Sequence, residues 1–496
     1  MATRYGARDL LDRILDHGSF RSWDTTPVDV RPDPSYAADL ARARAASGCD
    51  EAVLTGEGLL RGRRVAVAAG EFAFLAGSIG VAAAERLVIA VERATAARLP
   101  LLVSPASGGT RMQEGTVAFL AMVKIAAAIA AHKAAGLPYL VYLRDPTTGG
   151  VLASWGSLGH VTVAEPGALV GFLGPRVYSA LYGADFPEGV QRAENLLDHG
   201  LIDAVLPPED LPAIADRALT VLLARDTGDA PPPPAEPAEA TPAWTAVTRS
   251  RRPGRPGVRA LLRHAATDVV RLRGSGEGES DPGLLLALAR FGGSPCVLLG
   301  QDRDRQTPEH PMGPAALRAA RRGMRLADEL GLPLVTVIDT PGAALSKEAE
   351  EQGMAGQIAR CLTEMATLPG PTLAFLLGQG TGGGALALIP ADRVLCAQNA
   401  WLSPLPPEGA SAIVHRTTEK AADLARDQGI GSTDLRAHGI VDRIVPEHDD
   451  AADEPEEFCR RAGAALRHEL AALTRAPGAA RRAVRAARYR RLGLPS

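Results

Sequence analysis

Two glycine pairs, Gly149-Gly150 and Gly383-Gly384, each follow an apolar run and precede small residues. A strand, a glycine turn and a helix start leave backbone N–H groups unpaired and pointing outward. Such a turn can hold an anion, a phosphate or a developing oxyanion, or it can be a plain strand-to-helix connection. We expect positive φ at Gly149 and Gly383, because only glycine lets a backbone approach a ligand so closely. The presence of two such turns, one in each half of the chain, favours a functional interpretation.

The elements that would carry these turns are apolar runs of strand length that alternate with longer runs at helical spacing. An α/β fold with largely parallel pairing is indicated by this alternation. Strands are predicted at Val65–Ala69, Leu101–Val103, Tyr139–Leu143, Pro295–Leu299, Leu334–Ile338 and Leu373–Leu377, and helices at Val81–Leu99, Val117–Ala135, Ala315–Leu330 and Ile358–Leu368.

Three short strings recur in the same order in the two halves of the chain. Leu99-Pro-Leu recurs as Leu332-Pro-Leu, Gly149-Gly150 recurs as Gly383-Gly384, and the string from His199 to Asp203 recurs at 438–442. The spacing between the copies is nearly constant, which predicts a duplicated fold, although short apolar strings can also match by chance.

The boundary between the halves is predicted from a change in composition. Residues 226–257 are rich in proline, with four in succession from Pro231, and are predicted to form a semi-rigid linker. We therefore predict one domain over residues 1–225 and a second over residues 258–474. Residues 475–496 carry seven arginines and no acidic residue, which predicts a basic tail that is solvated or frayed, or that docks an acidic partner.

Composition restricts the class of protein. A chain of 496 residues with a formal net charge of −3 has no basic field for nucleic acid. The most apolar stretch, residues 117–143, is interrupted by Lys124, His132, Lys133 and Pro138, so no membrane span is expected. The five cysteines form no C-x-x-C pair, so a zinc ribbon is not expected and a reducing cytoplasm fits.

Several familiar catalytic motifs do not occur in the sequence. There is no G-x-x-x-x-G-K-[ST] phosphate loop and no G-x-S-x-G elbow. Gly378, Gly380 and Gly383 satisfy G-x-G-x-x-G, but the acid that a dinucleotide site needs about 20 residues later is replaced by Gln398 and Asn399. What remains is backbone chemistry, in which each glycine turn stabilises one oxyanion and one donor is worth about 2.7–4 kcal/mol in a transition state.

Two long runs of motifs resemble the bacterial acetyl-CoA carboxylase carboxyltransferase. Residues from about 60 to 206 resemble its β subunit, and residues from about 255 to 446 resemble its α subunit, so the chain looks like a β-like half fused to an α-like half. The first match is carried by Ser107-Gly-Gly-Thr-Arg-Met-Gln-Glu-Gly115, Asp145-Pro-Thr-Thr-Gly-Gly150, Gly171-Phe-Leu-Gly-Pro-Arg-Val177 and Leu196–Asp203, and the second by Ile338-Asp-Thr-Pro-Gly-Ala343, Gly382-Gly-Gly-Ala-Leu386, Asp392-Arg-Val394 and Pro407-Glu-Gly409.

The resemblance implies two tandem crotonase-type β-β-α spiral domains in an α/β architecture. It implies that a carboxyl group moves from carboxybiotin on a separate biotin carboxyl carrier protein to acetyl-CoA or another short acyl-CoA, giving malonyl-CoA for fatty-acid or polyketide synthesis. Biotin and a coenzyme A thioester would be the reacting groups, with no metal, and a biotin carboxylase would be a further partner. Because the family site lies between halves of two protomers, a homodimer or a larger assembly is the expectation.

The resemblance also assigns roles to residues. Gly149 and Gly150 would hold the thioester enolate oxygen, and Gly383 and Gly384 the ureido oxygen of biotin. Substrate contacts would come from Ser107, Gly108, Gly109, Arg111, Lys124 and Gly342.

Two of these assignments have an alternative, and two histidines have an interpretation of their own. Arg111 would either meet coenzyme A phosphates or fix the glycine turn, with pairing to Glu114 as its other role. Lys124 would be a coenzyme A contact or a lysine that extends its ammonium from an apolar helix to water. His199 and His438 are predicted to end helices rather than to act as catalysts.

Two other functions remain open from the sequence. One is a crotonase-type hydratase or decarboxylase that acts on acyl-CoA without biotin and needs a carboxylate base, for which Glu85, Glu114 and Glu165 are candidates. The other is a scaffold with one degenerate half. The second half departs from the family at Gly378-Gln-Gly-Thr-Gly-Gly-Gly384, which leaves the acyl-CoA open.

Overall fold

A computed structural model describes residues 5–225 and 232–494, apart from the side chains of residues 175 and 176. The chain folds as two compact units that divide between Leu219 and Thr220. Each unit is built from a mixed sheet with helices packed on it.

The elements of the first unit are the following. The strands are β1 (Arg21–Ser22), β2 (Val53–Leu60), β3 (Arg63–Gly70), β4 (Leu101–Ser104), β5 (Tyr139–Leu143), β6 (Thr147–Thr148), β7 (Val161–Ala164), β8 (Val170–Gly171) and β9 (Ala204–Val205), and the helices are α1 (Ala7–Ile14), α2 (Pro34–Ser47), α3 (Val81–Ala96), α4 (Gly115–Ala134), α5 (Gly149–Val151), α6 (Pro175–Tyr182), α7 (Ala193–Asp198) and α8 (Leu211–Leu222).

The second unit holds the remaining elements. Its strands are β10 (Ala266–Leu272), β11 (Leu284–Phe291), β12 (Ser294–Gln301), β13 (Leu334–Thr340), β14 (Thr372–Thr381), β15 (Arg393–Ala397), β16 (Trp401–Ser403) and β17 (Arg443–Val445), and its helices are α9 (Ala243–Ser250), α10 (Val258–Ala265), α11 (Pro314–Leu330), α12 (Lys347–Glu351), α13 (Met354–Thr367), α14 (Gly382–Leu386), α15 (Pro407–His415), α16 (Ala421–Asp427), α17 (Ser432–Ala437), α18 (Pro455–Arg475) and α19 (Gly478–Arg491).

The two sheets have the same topology over the described residues. In the first unit the strand order is β1-β2-β3-β4-β5-β7-β9, and in the second it is β10-β11-β12-β13-β14-β15-β17. In both, an antiparallel edge of three strands leads into strands that pair in parallel. The predicted strands and helices all fall on observed elements of their type, and the α/β prediction is confirmed.

Hydrophobic packing fixes the sheet that positions the first turn. Leu87 of α3 and Ile125 and Ile129 of α4 are buried in one cluster with Val103 of β4 and Val141 of β5. Because a helix covers a sheet only along one apolar stripe, the cluster sets the orientation of both helices on the parallel strands. The carboxyl ends of β4 and β5 are thereby held side by side.

Helix α4 is apolar on its outer face as well. With the preceding turn it forms a helix, Met112–Ala134, that is long and apolar enough by length and composition to cross a membrane, with a mean hydropathy of 1.7. One such helix is weak evidence for a membrane span, since a buried core helix passes the same test, and 33 % of its most apolar window is buried here. Lys124 lies near its middle and forms an ion pair with Glu85 of α3.

The segment predicted as a linker is ordered over its second part. Residues 226–231 lie outside the described residues, but residues 243–257 pack on the second unit and include α9. Arg255 is buried and forms two 2.7 Å hydrogen bonds to the carboxylate of Glu447. Composition alone misplaced this stretch, because its few large apolar and basic residues are stabilised by partners that are distant in the chain.

The predicted basic tail is a largely exposed helix, as one of its interpretations had it, but it is also attached to the second unit through a buried arginine. Residues Gly478–Arg491 form α19, in which Arg485 is buried. Its guanidinium donates to Asp392 Oδ1 at 2.9 Å and to the carbonyl oxygens of Met365 and Leu368 at 2.7 and 2.9 Å. A guanidinium has five donors, so one arginine can tie a polar helix to the unit when the acceptors surround it.

Candidate functional site

The turn after β6 has the geometry predicted for an anion-binding loop. Gly149 adopts a φ of +65°, and its N–H donates to the carbonyl of Phe172 at 3.0 Å. Gly150 is the second residue of α5, where the N–H has no preceding turn to bond to. Among the described residues, no acceptor is bonded to the Gly150 N–H.

A second glycine turn packs directly against the first. Gly109 has a φ of +112°, and its N–H donates to Ser107 Oγ at 3.0 Å. A methyl group on Gly109 would lie 3.4 Å from the Cα of Gly149 and 3.6 Å from the nitrogen of Gly150. The two turns therefore pack in van der Waals contact, and together they form one wall beside the Gly150 N–H.

Arg111 does not face this wall. Its side chain is 1 % exposed and pairs with Glu51 at 2.5 Å and with Glu114 at 3.4 Å. It also donates to the carbonyl of Ser78 at 2.8 Å, in the loop whose Ala76 carbonyl accepts the N–H of Gly108 at 2.8 Å. The substrate-contact role for Arg111 is therefore corrected, because every guanidinium nitrogen is used inside the protein and the residue fixes the turn instead.

Burial and ion pairing have opposite effects on the pKa of Arg111. Burial disfavours the charged guanidinium, but the hydrogen bonds and charge of Glu51 outweigh it and raise the pKa of Arg111. Burial and a hydrogen bond to Glu114 raise the pKa of Tyr36 to about 12. Arg111 therefore stays charged and Tyr36 stays protonated across the neutral pH range.

Lys124 lies on α4, apart from the wall. Its described partner is Glu85, to which its ammonium forms an ion pair, and both side chains are 38 % exposed. The placement is that of a lysine that extends its ammonium from an apolar helix to the surface. Its role as a coenzyme A contact stays a prediction.

The glycine turn of the second unit has the same geometry as that of the first, but the matching residues lie one position earlier than the sequence predicted. Here Gly382, not Gly383, adopts the positive φ, at +63°, and it directly follows Thr381 at the end of β14. Gly149 directly follows Thr148 in the same way. The equivalent pairs are therefore Gly149-Gly150 and Gly382-Gly383, so the predicted match of Gly149 with Gly383 and the expected positive φ at Gly383 were wrong by one residue.

The second unit also has an equivalent of the Gly109 turn. Gly342 has a φ of +138°, and its N–H donates to Thr340 Oγ1 at 3.1 Å, as Gly109 donates to Ser107. The N–H groups of Gly383 and Gly384 lie in the first turn of α14 and are bonded to no acceptor among the described residues. Each unit thus presents the same two-turn wall with unpaired donors, and the predicted duplication is confirmed in hydrogen-bond detail.

The third anchor of the duplication is also structural. Asp203 Oδ2 accepts the N–H of Thr162 at 2.9 Å, and Asp442 Oδ2 accepts that of Val394 at 2.7 Å. His199 and His438 each follow the last turn of a short helix, α7 and α17. Their prediction as helix-terminal residues is confirmed.

A cavity of about 420 Å³ opens beside the second turn. Its walls are mostly apolar, and His438 and Gln428 are among the residues that line it. No local pattern brings His438 near the glycine turn, because two strands and three helices separate the two along the chain. The lining comprises Gly382, Gly383, Leu386, Ile389, Leu402, Ser403, Pro404, Gln428, Gly429, Leu435, His438 and Ile440.

A buried carboxylate lies behind the second turn. Burial raises the pKa of Asp339, although Arg303 lies 3.7 Å away and the N–H of Gln379 donates to its Oδ1 at 3.0 Å. A methyl group on Gly378 would stand 2.5 Å from that oxygen. The glycine that resembled a dinucleotide motif is thus needed to fit over a carboxylate.

The three candidate bases are all engaged in contacts. Glu114 accepts the N–H of Val81 at 2.6 Å as well as pairing with Arg111, Glu85 pairs with Lys124, and Glu165 accepts the N–H of Asp145 at 3.1 Å. The described residues contain no group of three or more His, Cys, Asp or Glu side chains placed to hold a metal ion.

The chain is similar to a known protein family along most of its length. Residues 4–483 match the family described as the carboxyl transferase domain. The chain is 63 % identical over 493 residues to a probable biotin-dependent acyl-coenzyme A carboxylase beta3 subunit of Mycobacterium tuberculosis, and the match covers 99 % of both chains. It is 38 % identical over 515 residues to the acetyl-coenzyme A carboxylase carboxyl transferase subunits beta/alpha of Saccharopolyspora erythraea, covering 99 % of this chain and 89 % of that one.

A solved structure has the same fold. The transcarboxylase 12S structure aligns with a TM-score of 0.73 at 23 % identity, covering 96 % of this chain and 91 % of the other. The two-domain crotonase-type fold is thereby confirmed.

Proposed function

The chain belongs to the carboxyl transferase domain family, and from that premise we propose that it is the carboxyltransferase subunit of a biotin-dependent acyl-CoA carboxylase. The observation that carries the proposal is the repeated wall of two glycine turns, with unpaired N–H groups at Gly150 in one unit and at Gly383 in the other, among the described residues. A transfer between two carbonyl compounds passes through two developing oxyanions, so two donor walls in one chain match its needs.

The first-unit wall suits a thioester oxygen. The Gly150 N–H is fixed by its neighbours, since Gly149 is bonded to Phe172 and Gly109 is bonded to Ser107. A donor held in this way needs no reorganisation when charge develops on the oxygen. Enolate formation at the α-carbon is thus favoured without a cationic side chain.

The second-unit wall suits the ureido oxygen of biotin. Gly382 and Gly383 line the cavity of about 420 Å³, whose mostly apolar walls leave room for a small bicyclic group. Bound carboxybiotin, delivered by a carrier protein, would supply the carboxyl group. The residues of this chain would bind and orient its carbonyl.

The crotonase-type hydratase or decarboxylase without biotin is the weaker interpretation. It requires a carboxylate free to take a proton beside one of the turns. The contacts of Glu85, Glu114 and Glu165 described above argue against that role for each of them.

Acetyl-CoA, giving malonyl-CoA, is the substrate that we propose, with other short acyl-CoA thioesters as the competitors. Support comes from the name of the 38 % identical relative, whereas the 63 % identical relative is named only for acyl-CoA. The product would then serve fatty-acid or polyketide synthesis.

The test is the reverse exchange, in which malonyl-CoA transfers its carboxyl group to free biotin, giving carboxybiotin and acetyl-CoA. We expect acetyl-CoA to form only when biotin is present, and methylmalonyl-CoA, assayed in parallel, to give propionyl-CoA more slowly. Formation of acetyl-CoA at the same rate without biotin would refute the proposal in favour of a simple decarboxylase.

We further propose an assembly of at least two copies that works with a biotin carboxyl carrier protein and a biotin carboxylase. Exposed apolar side chains on α4, among them Val117, Phe119, Leu120 and Val123, form a patch of the kind that marks protein interfaces. A cytoplasmic location is proposed from the five cysteines, which are all free thiols. Light scattering that showed an active monomer would exclude the assembly.

A further inference from the structure

Two buried glutamines lie behind the turns of the second unit. Gln301 is the last residue of β12 and is fully buried, and Gln306 is buried just after the helical turn Arg303–Arg305. By the pairing of β3 with β4 and of β12 with β13, Gln301 corresponds to Gly70, the last residue of β3. The first unit therefore has no side-chain amide in this position.

Gln301 bonds the first turn of α14 to the sheet. Its Nε2 donates to the carbonyl of Gly384 at 2.8 Å, and its Oε1 accepts the N–H of Asp339 at 3.1 Å. Within α14 the N–H of Leu388 bonds to Ala385 rather than to Gly384. The Gly384 carbonyl thus depends on Gln301 for a donor, and the amide sets the orientation of that peptide.

Gln306 bonds the other turn of the wall. Thr340 Oγ1 donates to Gln306 Oε1 at 2.6 Å and accepts the N–H of Gly342 at 3.1 Å. The amide Nε2 donates to the carbonyl of Gly283 at 3.2 Å. The turn is thereby tied to the residue that precedes β11 through one neutral side chain.

We propose that Gln301 and Gln306 are positioning residues of the second-unit wall, which set the direction of the Gly383 and Gly384 N–H groups and of the Thr340–Gly342 turn. Neither side chain lines the cavity, so both act through the backbone that they hold. The inference rests on the proposed function, in which this wall binds the biotin carbonyl. It predicts that loss of either amide impairs use of biotin and spares use of acyl-CoA.

The first test replaces the amide at constant length, as Gln301→Met. The matched control is Thr372→Val, which removes a buried hydroxyl bonded to Asp392 at the far end of β14. Free biotin and malonyl-CoA, or methylmalonyl-CoA if the wild type prefers it, are varied separately in the exchange assay. We expect kcat/KM for biotin to fall between about tenfold and a hundredfold in Gln301→Met, since a displacement of about 1 Å has such an effect.

In the same variant the KM of the acyl-CoA should stay within about twofold of wild type, because the first-unit wall is untouched. The control should change neither parameter. An equal change for both substrates, or the same change in Thr372→Val, would overturn the positioning role and indicate general damage to the unit.

The second test uses Gln301→Glu and a pH series. A protonated carboxyl can donate to the Gly384 carbonyl and accept the N–H of Asp339 as the amide does, whereas an ionised carboxylate repels the Gly384 carbonyl oxygen. Activity of the variant relative to wild type should therefore rise as the pH falls. A ratio that does not change with pH would contradict the inference.

Amide hydrogen exchange separates this inference from the proposed function. In Gln301→Met, exchange in residues 382–388 should quicken by about tenfold, the effect of losing one hydrogen bond, and in Thr372→Val it should not. Unchanged exchange would overturn the positioning role whatever the activity. Faster exchange in an enzyme with no biotin-dependent turnover would support the positioning role and refute the proposed function instead.

Discussion

Replacing Gly149 by alanine should reduce turnover far more than it reduces stability. Gly149 forms the turn that presents the Gly150 N–H, and its φ of +65° lies in the left-handed region. A methyl group there would lie 3.3 Å from the Cα of Gly109 and 3.6 Å from the carbonyl oxygen of Gly108. Both neighbours are backbone atoms, so the two turns must move apart to accept it.

The size of each effect follows from that geometry. The left-handed conformation costs a non-glycine residue about 1–2 kcal/mol. For a unit of this size, that loss lowers the melting temperature by about 2–8 °C. Complete loss of one oxyanion donor corresponds to a fall of about 10²–10³-fold in kcat, and displacement of the Gly150 N–H by a fraction of an ångström should give at least about tenfold.

Gly48→Ala is the matched control for backbone strain. Gly48 ends α2 with a φ of +68°, and a methyl group on it would meet no atom within 4 Å. Both variants should melt at similarly reduced temperatures and keep the wild-type circular dichroism, but only Gly149→Ala should lose turnover in the malonyl-CoA and biotin exchange. A kcat for Gly149→Ala within about twofold of Gly48→Ala would refute the oxyanion role of the first turn.

Three further changes test the second unit and the buried charges. Gly382→Ala places the same strain at a φ of +63° and should raise the KM of biotin at least about tenfold while leaving that of acyl-CoA unchanged, as steady-state kinetics will show. Arg255→Met leaves the carboxylate of Glu447 buried without its partner and should lower the free energy of unfolding by about 3–5 kcal/mol in a urea titration. Burial lowers the pKa of His132 to about 4, so the unfolded chain binds the proton more tightly and stability should fall as the pH drops from about 6.5 to about 4. In His132→Gln that part of the pH dependence should disappear, and an unchanged profile would show that another group is responsible.

Much of the fold could be predicted from the sequence, because it depends on residues close together in the chain. The strand Tyr139–Leu143 is one apolar run between turn signals, and the structure gives it the same bounds. The two Leu-Pro-Leu strings also occupy equivalent places in the two sheets. The last residue of the first string, Leu101, begins β4, and Leu334, the last of the second, begins the equivalent strand β13. Local periodicity is sufficient for such elements, since each one is selected mainly by its own pattern of apolar residues.

Side-chain roles were harder to predict, because they depend on partners distant in the chain. Arg111 adjoins the glycine turn in sequence, which suggested a substrate contact, but Glu51, far earlier in the chain, binds it inside the protein. Arg255 and Arg485 were interpreted as parts of a linker and a tail, and each is buried against a carboxylate that no local pattern indicates. Buried charges are stable only where such partners exist, and composition does not reveal them.

The sequence by itself determined that there are two glycine turns, one in each of two similar α/β halves, because glycine and the preceding apolar strand are local signals. Only the tertiary structure decided that Gly382 rather than Gly383 corresponds to Gly149, since φ depends on how the turn meets Thr381 and the next strand. It also decided that the two walls are held differently, by the ion pairs of Arg111 in the first unit and by the neutral amide of Gln301 in the second. Those contacts join residues that are far apart in the chain, and only the packing of the sheet brings them within hydrogen-bonding distance.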